Sequence, residues 1–301
     1  MKAILFWLVY PLLWIISMLP FPLLYLYSDF LYILVYYIIG YRKKTVRHNL
    51  ALAFPEKTIK ERLTIEKKFY HHMCDMFLEM IKTMNITKEQ LLERYKFKNI
   101  ELVEKYDKNN QSFIMMLGHY ASYEWVFALQ LYVQQPGYAV YKKIKYKQFD
   151  DLIGKIRGRW NTYLVDSNKI IRAINRHQRD GISAVYGFVA DQSPKLKRAH
   201  FWTHFLGQEV PFFTGTERMS KQFDLPVVFY NVEKVGRGRY EGTFHTLAEQ
   251  GDQTQEGEIT SLYAQLLEKQ IQKEPAYYLW THRRFKLAGR KEEVLAKIKK
   301  K

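Results

Sequence analysis

Ser112-Phe113-Ile114-Met115-Met116-Leu117-Gly118-His119-Tyr120-Ala121-Ser122-Tyr123-Glu124 is the stretch that decides the fold. The apolar run from Phe113 to Leu117 reads as a strand. Gly118 ends it, a histidine follows at once, and Glu124 stands five residues further on, inside what reads as a new helix. Strand-to-helix junctions are where α/β folds place their chemistry. An imidazole with an ordinary pKa of about 6.5 can take a proton from a substrate hydroxyl near neutral pH. A carboxylate on its other ring nitrogen fixes the tautomer and stabilises the imidazolium that forms. The hydroxyl in this reading belongs to the acceptor substrate, not to a serine nucleophile. The chain has 9 His and 30 acids in 301 residues, so about one His-x4-acid pair arises by chance. His204 with Glu209 is a second such pair, but 202–207 reads as a loop. Context therefore singles out His119.

Outward from this junction, apolar runs alternate with helical spacing. Residues 97–102, 112–117, 181–190, 225–230 and 242–247 read as strands, and 138–141 is a short apolar run. Residues 120–133, 149–160, 168–179 and 259–273 read as helices, with shorter ones at 45–52 and 87–95. Residues 56–84 carry Leu63, Phe69, Met73, Met76, Phe77 and Met80 at helical intervals, a stripe for packing. Such βα alternation predicts an α/β fold, a mixed sheet flanked by helices. There is no internal repeat and no low-complexity tract. The single Cys74 excludes an internal disulfide framework and a multi-cysteine zinc site. His71, His72 and Asp75 beside it match no metal spacing; a packed thiol next to a solvated helix face is the expected arrangement.

The balance is 47 basic against 30 acidic residues, net +17, which selects anionic partners: nucleic acid, acidic headgroups or an acidic protein. With 23 Tyr, 19 Phe and 6 Trp, the aromatic content favours a membrane surface, since tyrosine and tryptophan suit apolar–polar boundaries. No nucleic-acid module is recognisable, and nucleic acid is not an expected partner. Residues 3–27 carry no charge, a run of about 25 residues and enough to cross a bilayer core as a helix. Pro11, Pro20 and Pro22 equally suit a kinked or re-entrant segment lying within one leaflet. A second apolar run, 30–41, is too short to span alone. Arg42-Lys43-Lys44 and Arg47 follow, which places the bulk of the chain in the cytoplasm. No small-residue cleavage site follows the apolar stretch, so an uncleaved anchor is expected rather than a signal peptide.

Five blocks in order give the chain a resemblance to the bacterial late acyltransferases of lipid A biosynthesis, the lauroyl/myristoyl acyltransferase group of the lysophospholipid acyltransferase superfamily. Tyr41-Arg42-Lys43-Lys44-Thr45-Val46-Arg47-His48-Asn49-Leu50-Ala51-Leu52-Ala53-Phe54-Pro55-Glu56 looks like the basic helix after the anchor. Gly118 to Glu124 is similar to the group's His-x4-Glu motif. Arg157-Gly158-Arg159 resembles its arginine motif, and Asp191-Gln192 its Asp-Gln motif. Tyr278-Leu279-Trp280-Thr281-His282-Arg283-Arg284-Phe285-Lys286 is close to its carboxy-terminal signature and is the most specific of the five. Two departures stand out. Tyr141-Lys142-Lys143 replaces a frequent Tyr-Arg-Pro, and Asp191-Gln192 continues with Ser-Pro-Lys instead of a further acid.

The resemblance implies a glycerol-phosphate acyltransferase-like α/β fold in three parts: a membrane anchor at 1–41, the acyltransferase domain at 42–286 and a basic tail at 287–301. It implies a bacterial inner-membrane enzyme whose catalytic domain faces the cytoplasm. The donor would be an acyl carrier protein thioester and the acceptor a hydroxyl of a lipid A precursor. His119 would be general base and Glu124 would orient it. Arg157, Arg159, Asp191 and Gln192 would contact substrate; arginine forks suit the acceptor's phosphates. Lys142, Lys143, Lys145 and Lys147 form either a solvated basic face or a dock for the acidic carrier protein. No cofactor or metal is called for, because the thioester is already activated. The alternatives are acylation of another glycolipid or lysolipid, or a non-enzymatic basic membrane protein in which His119 and Glu124 are structural.

Overall fold

Two apolar helices open the chain, α1 (Lys2–Met18) and α2 (Phe21–Tyr32). The second runs on as a π-helical segment, Ile33–Ile39, and stops at Gly40, whose φ of 66° suits glycine. The computed structural model describes residues 2–299; Met1, at the tip of the expected anchor, and Lys300 and Lys301, at the end of the basic tail, lie outside the described residues. Helix α3 (Lys43–Ala53) leads to α4 (Ile59–Lys82). A capping box starts α4: Thr58 Oγ1 accepts from the Glu61 N–H and the Glu61 carboxylate accepts from the Thr58 N–H.

The α/β body follows: α5 (Lys88–Arg94), β1 (Tyr95–Phe97), α6 (Glu101–Lys108), β2 (Phe113–Leu117), a 3-10 helix (Tyr123–Leu131), β3 (Gly137–Tyr141), α7 (Lys147–Arg157), β4 (Thr162–Asp166), α8 (Ile170–Arg179) and β5 (Val185–Val189). Then come β6 (Phe201–Phe205), β7 (Gln208–Phe212), α9 (Gly215–Phe223), β8 (Val227–Gly236), β9 (Arg239–Ala248), α10 (Glu258–Lys273) and α11 (Lys291–Lys299). Seven strands form one sheet in the order β1-β9-β8-β2-β5-β3-β4. Strand β2 pairs in parallel with both β5 and β8, and β3 in parallel with β4 and β5; β9 runs antiparallel to β8. All five residues of β2 are buried, as a central strand covered on both faces requires. The mixed sheet with flanking helices is the expected class.

Local differences have physical causes. Residues 97–102 hold only the end of β1 before the chain turns into α6. The stretch after His119 does not become an α-helix at once. Tyr120 forms an antiparallel bridge to Tyr278, and helical structure begins only at Tyr123, as 3-10. Residues 202–207 are not a loop: they lie in and just past β6, and His204 stands directly opposite Glu209 across the β6–β7 hairpin. The helix face around Cys74 is not solvated. His72 and Asp75 are buried, and Asp75 is gripped by Arg237 and approached by Lys234. Cys74 is indeed packed, and burial pushes its thiol up to about 12. In the tail, α11 docks Val294 against Ala199 and Leu287.

Candidate active site

Strand register builds the site. Leu117 pairs with Val189, and two residues past each strand end stand His119 and Asp191. His119 Nδ1 lies 2.6 Å from Asp191 Oδ1. The His119 side chain is 17% exposed and that of Asp191 only 3%, so the ring reaches solvent while its anchor does not. Burial alone would push the Asp191 carboxyl up. The adjoining His119 and a hydrogen bond from Tyr278 outweigh that and hold it below the usual carboxylate range. With Nδ1 directed at Asp191, Nε2 faces outward, and Gln192 Nε2 lies 3.4 Å from it.

The acid five residues after His119 makes a different bond. Glu124 is buried and receives both arms of the Arg157 guanidinium, with Nε donating to Oε2 at 2.7 Å and Nη2 donating to Oε1. This is the bidentate fork that arginine makes with carboxylates. Burial opposes the Arg157 charge, but Glu124 more than compensates and raises its pKa. Tyr123 stands between the two pairs, its ring 5.0 Å from that of His119, edge to face. Arg159 points elsewhere: it donates to the Thr83 carbonyl just past α4 and lies 4.1 Å from the Trp160 ring. The structure therefore brings His119, Asp191 and Gln192 together, sets Glu124 on Arg157 beside them, and engages Arg159 in holding α4.

Two backbone features fix the turn. A Cβ at Gly118 would overlap the tip of the buried Leu267 side chain of α10, so a larger residue there requires that leucine to shift. Ala121 has φ 47°, unusual for a residue with a side chain, and its N–H donates to the Tyr277 carbonyl at 2.9 Å. The Leu279 N–H donates to the His119 carbonyl at 3.0 Å. The segment 277–286 thus clasps the turn. His282 Nε2 accepts from the Ser193 N–H at 3.1 Å, and burial lowers the His282 pKa to about 4, keeping the ring a neutral acceptor. Asn49 of α3 donates to the Trp280 and His282 carbonyls at 2.7 and 2.6 Å. Tyr278 and His282 have positioning contacts that residue type alone did not reveal; the only sequence signal was the likeness of 278–286 to a family signature.

The carboxyl ends of the parallel strands β2 and β5 thus present a carboxylate-held imidazole in the place where open α/β sheets bind their ligands, the arrangement of an α/β enzyme. The chain belongs to the bacterial lipid A biosynthesis acyltransferase family, whose model matches residues 1–287, and is an acyltransferase. It is 24% identical over 279 residues to the lipid A biosynthesis palmitoleoyltransferase of Escherichia coli K12, covering 91% of this chain and 88% of that protein. The lipid A biosynthesis acyltransferase of Shigella flexneri matches to the same extent. The lipid A biosynthesis lauroyltransferase of Escherichia coli K12 is 23% identical over 281 residues, 93% of this chain and 90% of the relative.

Proposed function

We propose that the chain transfers a fatty acyl group from an acyl carrier protein thioester to a hydroxyl of a lipid A precursor, at the cytoplasmic face of the bacterial inner membrane. One observation carries the mechanism: the 2.6 Å contact between His119 Nδ1 and Asp191, which leaves Nε2 as the base. Nε2 takes the proton of the acceptor hydroxyl as its oxygen attacks the thioester carbonyl carbon. The oxyanion that forms collapses, the carbon–sulfur bond breaks, and the imidazolium returns the proton to the departing thiolate. The products are an ester and the carrier thiol. Gln192, beside Nε2, is the amide donor within reach of the reacting oxygens.

Glu124 holds the Arg157 fork at the rim of this site, and two of the five N–H donors of that fork serve the carboxylate. The others serve the acceptor headgroup. Lys142, Lys143 and Lys145 are exposed on the loop after β3, which neighbours β5, so they stand at the same sheet edge as Asp191. They suit the acidic carrier protein. The test supplies purified protein with acyl carrier protein thioester and lipid A precursor. Wild type should form ester, and His119→Ala should lose about 10³-fold or more of that rate with its fold intact. Unchanged transfer by the variant would refute the assignment. Lipid extracted from cells lacking the protein should miss one secondary acyl chain on lipid A; a change in a different lipid would move the acceptor.

A further inference from the structure

Asp29 stands near the middle of the helix Phe21–Ile39, which by length and composition is able to cross a membrane. Its carboxylate is bonded to the body of the protein. Arg237, in the β8–β9 turn, donates to it at 2.6 Å, and His71 Nε2 of α4 lies 2.7 Å away. Arg237 also grips Asp75 at 2.7 Å. Three hydroxyls of the same helical segment donate to acids of α4: Tyr25 to Glu79 at 3.0 Å, Ser28 to Asp75 at 2.8 Å and Tyr36 to Glu66 at 3.0 Å. The end of α1 is fastened as firmly. Lys82 Nζ donates to the Ser17 and Leu19 carbonyls at 2.9 and 2.8 Å, and Phe6 packs on Phe149, Leu152 and Ile156 of α7.

A crossing helix would set Asp29 about 12 Å from Phe21 and about 15 Å from Ile39, at the centre of the hydrocarbon. It would draw Arg237, His71 and Asp75 in with it, where ionised groups are strongly disfavoured. The opposite face is suited to lipid. Trp7 and Trp14 on α1 and Leu23, Leu26, Phe30 and Ile33 on the second helix are all exposed. Arg42, Lys43 and Lys44 follow Gly40 and Tyr41 just past the end of this helix and complement anionic headgroups.

We infer that the two N-terminal helices lie in the plane of a single leaflet, as a fixed wall of the catalytic domain, and seat the enzyme on an anionic phospholipid surface without crossing it. The inference stands apart from the acyl-transfer reading. It places α7, which touches α1 and ends at Arg157, between the lipid face and the site.

The buried Cys74 is the only native thiol, so single cysteines report cleanly. The full chain, carrying Leu23→Cys, Leu26→Cys, Phe30→Cys or Ile33→Cys, is placed in vesicles of phosphatidylethanolamine and phosphatidylglycerol, and the depth of an attached spin label is measured. All four should sit at one shallow depth, within a few Å. A series that deepens by about 10 Å from Leu23 to Phe30 and turns back towards the opposite surface at Ile33 would overturn the inference. Met18→Cys and Tyr41→Cys, both exposed, supply a second reading. An impermeant maleimide should label both from the side of the catalytic domain and neither from the other side. Labelling of the two from opposite sides would establish a span. Leaving out phosphatidylglycerol should weaken binding at least severalfold; equal binding would remove the basic run from the interface.

Discussion

His119 Nδ1 and Asp191 Oδ1 meet at 2.6 Å although 72 residues separate them in the chain. The contact is made by the parallel pairing of β2 with β5 and would be lost by a slip of one register step. Asp191→Asn keeps the shape and removes the charge. An amide there presents either a donor to Nδ1–H or a neutral acceptor, so the tautomer and the imidazolium both lose support. The expected result is a fall in kcat of about 10³ to 10⁴, with KM for the thioester little changed. Steady-state rates measure it, and a fall below tenfold would detach Asp191 from His119.

Glu124 and Arg157 should fail in a different way from His119. Glu124→Ala leaves a largely buried guanidinium without its carboxylate. The stability loss should be about 3–5 kcal/mol, visible in denaturant midpoint as well as in activity. His119→Ala should lose activity with a far smaller stability change. Exchanging both members, Glu124→Gln with Arg157→Gln, should recover much of the stability and little of the turnover. If Glu124→Ala kept wild-type stability while turnover collapsed, Glu124 would be acting on the substrate itself rather than holding the Arg157 fork in place.

Much of this fold is visible along the chain because its central strands are continuous apolar runs; β2 and β5 are examples. Strand β4 escapes notice because Thr162–Asp166 lies at the sheet edge and is mostly half exposed, so it lacks that run. The β6–β7 hairpin hides for a similar reason: it is a separate two-stranded ribbon with polar residues interleaved. In the site, His119, Gln192 and the arginine pair are named by motif, but the partner of each is not. A spacing of five residues suggests a local His119–Glu124 contact. The 3-10 geometry and the bridge to Tyr278 instead turn Glu124 towards Arg157, and sheet register delivers Asp191. Register is a long-range property, and one sequence carries no direct record of it.

Gly118 should tolerate no side chain without relief from α10. Gly118→Ala forces a methyl against Leu267, which is fully buried, so the cost should be about 1–3 kcal/mol and the His119 turn should shift. Adding Leu267→Ala opens the space. The double variant should be more stable than the sum of the single changes implies, by at least 1 kcal/mol. Simple additivity in chemical denaturation would mean the two do not meet.

Glu79 ties α2 to the body and should give the protein a pH-dependent stability. It is buried, and Tyr25 of α2 and Tyr240 of β9 both donate to it. Burial, with the nearby charge of Asp75, raises its pKa from an ordinary 4.5 to about 7, against the opposing pull of Lys234 and the two tyrosines. The folded state therefore binds this proton more tightly than the unfolded chain. Its contribution is fully present below about pH 4.5, declines as pH rises, and is gone above about pH 7. The amplitude is on the order of 3 kcal/mol. Glu79→Gln cannot titrate and keeps one oxygen as acceptor. Its stability relative to wild type should rise between pH 5 and pH 8 by up to that amount, read from denaturant titrations in detergent at each pH. A difference that stays flat, or moves the other way, would mean that Glu79 is already ionised in the folded protein at pH 5.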